Sequence, residues 1–252
     1  MRRPHCLRLT WPRCKGEVVI VGKVVTDQAD GLRRLMASNT ARRVAVIDSA
    51  TGAGVCSVTL NLAAALTQQG QDVLLLDEHS GPQSMPLQRD GRLVLMDAVL
   101  DKDGALSPLA ASSDHILVVF QANPEAITQA YLCIKRLHYA HALQHLRVLV
   151  NEADDPAQAK RMLSNLATTG SRYLGVALQP AGFVRADPLV AQARRLNLTV
   201  VQAFRASTAA QDFRQIASDL LQWPYSPAAG RTPSLLPGQI TRNEAQAVAG
   251  MH

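Results

Sequence analysis

Short apolar runs recur along the chain, each bounded by small or polar residues. Residues 44–47 (Val-Ala-Val-Ile), 73–76 (Val-Leu-Leu-Leu), 93–96 (Leu-Val-Leu-Met), 116–120 (Ile-Leu-Val-Val-Phe) and 147–150 (Arg-Val-Leu-Val) are too short for stable helices. They lack the strict alternation of a half-exposed strand, so they fit strands buried on both faces. A sixth strand is expected at 175–178 (Gly-Val-Ala-Leu). Helical spacing fills the gaps: a Leu- and Ala-rich stretch at 57–69 closed by Gly70, a face of Ile127, Ala130, Ile134 and Leu137, and stretches at 156–167, 188–196 and 209–222. Upstream, Leu32, Leu35 and Met36 share one stripe and predict a short amphipathic helix. Buried strands alternating with helices predict an α/β fold, a doubly wound and mainly parallel sheet with helices on both faces. Such sheets bind ligands at the carboxyl ends of their strands. Asp77, Asp97 and Asn151 each follow an apolar run and are expected at such ends.

This pattern divides the chain into a flexible basic segment at 1–23, the short helix at 24–37, an α/β domain at 38–225, and a disordered Pro-, Gly- and polar-rich tail at 226–252. The net charge of +6 resembles that of a nucleic-acid binder. Five basic residues (Arg2, Arg3, Arg8, Arg13, Lys15) stand in the first 16 positions without an acid, which leaves the body near neutral. No broad phosphate-tracking surface is therefore expected. No apolar run approaches the roughly 20 residues of a membrane span, and the start lacks the apolar core of a signal peptide, so the expected location is the cytoplasm. Cys6, Cys14, Cys56 and Cys133 form no C-x-x-C pair and are expected as reduced thiols.

The most informative loop follows the first strand: Asp48-Ser49-Ala50-Thr51-Gly52-Ala53-Gly54-Val55-Cys56-Ser57. A strand, a Gly-containing loop and a helix is the context of a phosphate loop, in which backbone N–H groups and the helix N-terminus meet the anion. A lysine reaches the outer phosphates and a Ser or Thr hydroxyl holds Mg²⁺. Here Val55 stands where the lysine belongs and Cys56, a soft ligand poorly matched to Mg²⁺, where the hydroxyl belongs. Ser57 is one residue too far on, its side chain rotated by about 100° around the helix. On the glycines alone, a plain strand-to-helix turn explains the loop equally well.

These residues resemble the MinD/ParA group of P-loop ATPases and, within it, the branch of flagellar number regulators called FlhG or FleN. The group reads as a strand, K-G-G-V-G-K-T, then a helix with N-L-A. Asn61-Leu62-Ala63 sets the register and puts the signature lysine on Ala50, the phosphate-loop lysine on Val55 and the Mg²⁺ threonine on Cys56. Leu74-Leu75-Leu76-Asp77 is similar to L-L-L-D-A-D, with His79 at the second aspartate, which is associated with water activation. Asp97 matches the aspartate of the Walker B strand. Asn123-Pro124-Glu125 and the following residues are similar to T-P-E-P-T-A-I-T-D-A-Y, and Leu149-Val150-Asn151 to L-V-N, whose Asn faces adenine in relatives. Asp27-Gln28-Ala29-Asp30-Gly31-Leu32-Arg33 looks like the N-terminal D-Q-A-x-G-L-R of the flagellar branch, and the segment from Ala209 to Pro224 resembles its closing S-x-A-A-x-A-F-x-x-L-A-x-x-L-L-x-W-P.

The resemblance implies a cytoplasmic regulator of flagellar assembly, recruited to the cell pole by its partners. It implies a nucleotide site of Gly52, Gly54, Val55, Cys56, Ser57, Asp77, Asp97 and Asn151, altered so that ATP binding and hydrolysis are weakened or lost. The cofactors it implies, if nucleotide binds at all, are ATP and Mg²⁺. It also implies that Asp27, Gln28, Ala29, Gly31, Leu32 and Arg33 engage an FlhF-like GTPase. The alternative is a MinD/ParA-type ATPase that still binds ATP, in flagellar placement, cell division or partitioning. Two further features depart from the group. Only residues 78–92 join Asp77's strand to Asp97's, too little for a crossover helix plus a strand, in a region that supports dimer contacts in relatives. The tail has two basic residues, Arg231 and Arg242, and no clear apolar stripe, unlike a membrane-seeking helix.

Three other groups invite a functional reading. His138, His141 and His145 have the spacing of one helix face, as metal ligands or as a solvated polar face. Cys56, at a helix N-terminus, is either a reactive thiol of lowered pKa or a small buried filler. Arg33-Arg34 and Arg42-Arg43 are either a basic partner surface or solvated charge.

Overall fold

The computed structural model describes residues 42–80 and 93–224. The helix expected at 24–37, its partner-binding residues, the basic start and the tail lie outside the described residues.

Six strands form one sheet: β1 (Arg43–Asp48), β2 (Val73–Asp77), β3 (Leu93–Ala98), β4 (His115–Gln121), β5 (His145–Ala153) and β6 (Ala177–Arg185), in the order β2-β3-β1-β4-β5-β6. Every pairing is parallel. The order reverses beside β1, whose neighbours are β3 and β4, and the expected ligand crevice lies at that point. The helices are α1 (Val55–Gln68), α2 (Pro108–Ala111), α3 (Pro124–His141), α4 (Pro156–Leu174), α5 (Pro188–Arg195), α6 (Val200–Ala203) and α7 (Thr208–Gln222).

Alternate residues of each central strand feed opposite layers, as the period of two requires. Val44, Val46, Leu95, Leu117, Val119 and Leu149 pack with α1, α6 and α7, whereas Ala45, Ile47, Met96, Val118, Phe120 and Val150 pack with α3 and α4. Both faces are thus covered, and the core is supplied by aliphatic side chains of the sheet rather than by any ligand.

Helix boundaries follow capping chemistry legible in the chain. Asn123, Asp155 and Asp187 each precede a proline at the first helical position and accept from backbone amides of α3, α4 and α5. Gly70 takes φ 83° just beyond α1, with Gly70 N–H donating to Thr67 O and Gln71 N–H to Leu66 O, a Schellman closure that favours glycine. The described structure corrects the expected spans in four places. Helix α1 begins at Val55 rather than Ser57, α4 runs to Leu174, and β5 continues past Asn151 to Ala153. The sixth strand lies at Ala177–Arg185 rather than 175–178. It is an edge strand, so Pro180 and Gly182 are accommodated at a register shift opposite Val148 and Leu149.

Two buried polar residues fasten the layers. Asn61 of α1 donates from Nδ2 to Ser57 O (2.8 Å) and accepts at Oδ1 from Val200 N–H (2.9 Å), holding the start of α6 to α1. Arg42, ahead of β1, donates to Leu220 O (2.6 Å) and Trp223 O (2.8 Å) and so clamps the end of α7. The Arg147 guanidinium lies 3.8 Å from the centre of the Trp223 ring, and His115 meets that ring edge-on. Arg42 is thus a buried internal clamp, neither a partner surface nor a solvated charge.

Replacing Asn61 strands the Val200 amide in the core. Asn61→Ala is expected to lower stability by about 1–3 kcal/mol, read as a reduced urea midpoint with unchanged slope.

Candidate functional site

The loop after β1 has the backbone a phosphate loop needs, with Gly52 at φ 96° and Gly54 at φ 90°. A side chain at Gly54 would place its Cβ 2.6 Å from Asn151 Nδ2, so close approach as well as conformation demands glycine there. Asn151 is buried and donates from Nδ2 to Ala53 O at 2.9 Å. Its role in this fold is to support the loop from β5. Gln121 Nε2 donates to Gly52 O at 3.3 Å from the end of β4.

No side chain caps α1 from its N-cap residue, Gly54. The cap comes instead from Asp48, the last residue of β1, whose Oδ1 accepts from Val55 N–H at 3.0 Å. The Gly52 amide also lies near this carboxylate. A negative group therefore already sits against the loop amides and the positive end of the α1 dipole, which is what a bound phosphate would provide. Burial raises the Asp48 pKa, and the amides of Val55 and Gly52 oppose that rise.

Asp77 at the end of β2 and Asp97 near the end of β3 are paired in register on adjacent strands. Asp97 is only 3% exposed. Desolvation, together with the charges of Asp77 and Asp48 and against the counter-effect of His79, pushes its carboxyl up to about 6. His79 stands in the short 3-10 turn Glu78–Ser80, with Nε2 3.5 Å from Asp97 Oδ1. Cys56 is exposed rather than a buried filler, and its thiol lies beside Asp97. Partial desolvation, then the charges of Asp97, Asp77 and Asp48, push that thiol up to about 11. Neither alternative for Cys56 holds: the thiol is exposed, and desolvation, joined by the nearby carboxylates, raises its pKa rather than lowering it.

As arranged, these residues do not offer the contacts of a magnesium-bound triphosphate. Val55 is buried in the core, Cys56 gives sulfur where Mg²⁺ takes oxygen, and the carboxylates of Asp97, Asp77 and Asp48 act on the Cys56 thiol. Ser57 is partly exposed one residue further along α1.

The histidines expected to share a helix face do not. His145 begins β5, His138 Nδ1 pairs with Leu143 O at 2.8 Å, and His141 Nε2 accepts from Leu106 N–H at 2.8 Å. Sequence reasoning overlooked Asp48. An acid at the strand end directly before a phosphate loop, where the ligand itself must be anionic, was the available signal. His79 entered only as a substituted family position, and its spacing of two from Asp77 was the clue to its place in the cluster.

In the presence of EDTA, Cys56 is expected to be alkylated by iodoacetamide at least tenfold more slowly than free cysteine at pH 7.5, despite its exposure. The rate should climb only as pH approaches about 11, and Asp97→Asn should accelerate it. Peptide mapping by mass spectrometry reads this site separately from the other thiols.

No family model matches the chain. It is 29% identical to the antiactivator FleN of Pseudomonas aeruginosa, over 75% of this chain and 79% of that protein. Among solved structures it is similar to the MinD cell division protein of Aquifex aeolicus, with a TM-score of 0.55 and 14% identity over 73% of this chain and 98% of that one. It also resembles a plasmid partition protein of Borrelia burgdorferi solved with AMPPNP, with a TM-score of 0.52 and 10% identity over 72% and 99% of the two chains. The structural likenesses establish the fold, an all-parallel sheet of MinD/ParA type. The chain is thus similar in sequence to FleN and shares the fold of MinD, with Val55 and Cys56 opening the helix after its glycine loop.

Proposed function

We propose that this protein is a FleN-type regulator of flagellar number and assembly that acts through protein contacts, with ATP binding and hydrolysis weakened or lost. The likeness to FleN supports the regulatory role. The observation that carries the loss of nucleotide is the Asp48 carboxylate accepting from the Val55 amide, in a loop without its lysine. A missing charge-assisted contact costs roughly 1.5–3 kcal/mol of binding, and a fixed carboxylate facing the phosphates adds repulsion to that.

In this reading the partner is an FlhF-like GTPase, engaged by Asp27, Gln28, Ala29, Gly31, Leu32 and Arg33, and partner contacts bring the protein to the cell pole. Among the described residues no helix is long and apolar enough to cross a membrane. One observation favours a second reading, an ATPase that still binds ATP: the strand, the loop with its two positive-φ glycines, and the helix are all kept.

Titration with fluorescent ATP and Mg²⁺ separates the two. The natural chain is expected to show millimolar affinity or none, and the triple variant Asp48→Gly/Val55→Lys/Cys56→Thr to bind at least tenfold more tightly. Micromolar affinity of the natural chain would favour the ATPase reading.

A pull-down with an FlhF-like GTPase tests the partner. Binding is expected, and deletion of residues 27–36 should abolish it. Capture that survives the deletion, or no capture by the full chain, would sink this assignment.

A further inference from the structure

The carboxyl ends of β2 and β3 bring together three side chains of metal-ligating type. One ligand atom each from Asp77, His79 and Asp97 lies within 4.8 Å of the other two. Acidic groups near one another are common without a metal. Here a second observation points to a missing partner: Asp97 is 3% exposed, its Oδ1 makes no hydrogen bond, and that same atom faces His79 Nε2 at 3.5 Å. A buried carboxylate oxygen without a donor carries a desolvation cost that a cation would offset.

The turn that presents His79 is fixed on both sides. His79 N–H donates to Asp77 Oδ1 at 2.9 Å. Glu78 accepts from Val99 N–H at 3.0 Å and from the Ser107 hydroxyl, tying the turn to the segment after β3. The imidazole is therefore held over the strand ends, while its own exposure leaves it free to adjust its rotamer.

We propose that Asp77, His79 and Asp97 form a nucleotide-independent site for a divalent transition metal, for which Zn²⁺ is the natural probe. Two carboxylate oxygens and one imidazole nitrogen form a ligand set suited to Zn²⁺, with a fourth position left to water. Bonds of roughly 2.0–2.2 Å at tetrahedral angles put ligand atoms about 3.3–3.5 Å apart, so the His79–Asp97 pair already has the required separation. The imidazole selects against Mg²⁺, which prefers an octahedron of oxygens and keeps its waters. Exposed Cys56 lies against Asp97, beside the site.

This inference does not depend on the regulatory reading, because it is tested without nucleotide or partner. The full chain, stripped with EDTA and desalted, is titrated with Zn²⁺ against a chromophoric chelator, and its thermal melting is followed with and without the metal. One Zn²⁺ per chain at micromolar affinity or tighter is expected, with a rise in Tm and no competition from millimolar Mg²⁺. His79→Ala and Asp97→Asn should each weaken binding at least tenfold. His79→Ala removes an exposed side chain, so its fold, checked by circular dichroism, should be unchanged. Zn²⁺ affinity that His79→Ala leaves intact would overturn the site, as would no binding tighter than about 100 μM or displacement of Zn²⁺ by Mg²⁺.

Discussion

The amide of Val55 donates to the carboxylate of Asp48 across 3.0 Å, and the chemistry of this end of the sheet depends on that bond. It closes the turn between the central strand and the first helix with a charge the protein supplies itself. An empty phosphate loop leaves amides and a helix dipole facing solvent, waiting for an anion. Here the anion is covalently part of the chain. The loop can keep its glycines and its support from Asn151 because the backbone still has a negative group to wrap. Asp77 and Asp97 add two further carboxyl groups at the neighbouring strand ends.

The fold tolerates this change because the site lies outside the core. Strand β1 contributes Val44 and Val46 to one layer and Ala45 and Ile47 to the other, all fully or almost fully buried. At the opposite ends of the strands, Arg42, Arg147 and His115 surround Trp223 and anchor the close of α7. The segment that resembles the flagellar branch is therefore fixed by contacts far from the loop.

Much of the fold was legible in the chain because burial on two faces writes itself as unbroken apolar runs. Five of the six strands were located to within a few residues, and the sixth was misplaced because an edge strand tolerates Pro180 and Gly182. Helix starts were readable where Asn or Asp precedes proline. The site was only half legible. Asp77 and Asp97 announced themselves as acids after apolar runs, but the bonds that decide what they do come from elsewhere in the chain. The orphaned oxygen of Asp97, the reach of Asn151 to Ala53 and the raised thiol of Cys56 depend on which strands lie side by side. Local spacing also suggested a histidine face that the break between α3 and β5 dissolves.

The central claim is that the loop amides are occupied by Asp48 and closed to phosphate. It is tested most directly by following the ¹H–¹⁵N resonances of Gly52 and Val55 as Mg²⁺–ATP is raised to several millimolar. The account predicts that both amides keep their positions throughout in the natural chain and move on addition of the nucleotide only once Asp48 is replaced by glycine. Saturable shifts of both amides at micromolar nucleotide in the natural chain would contradict it.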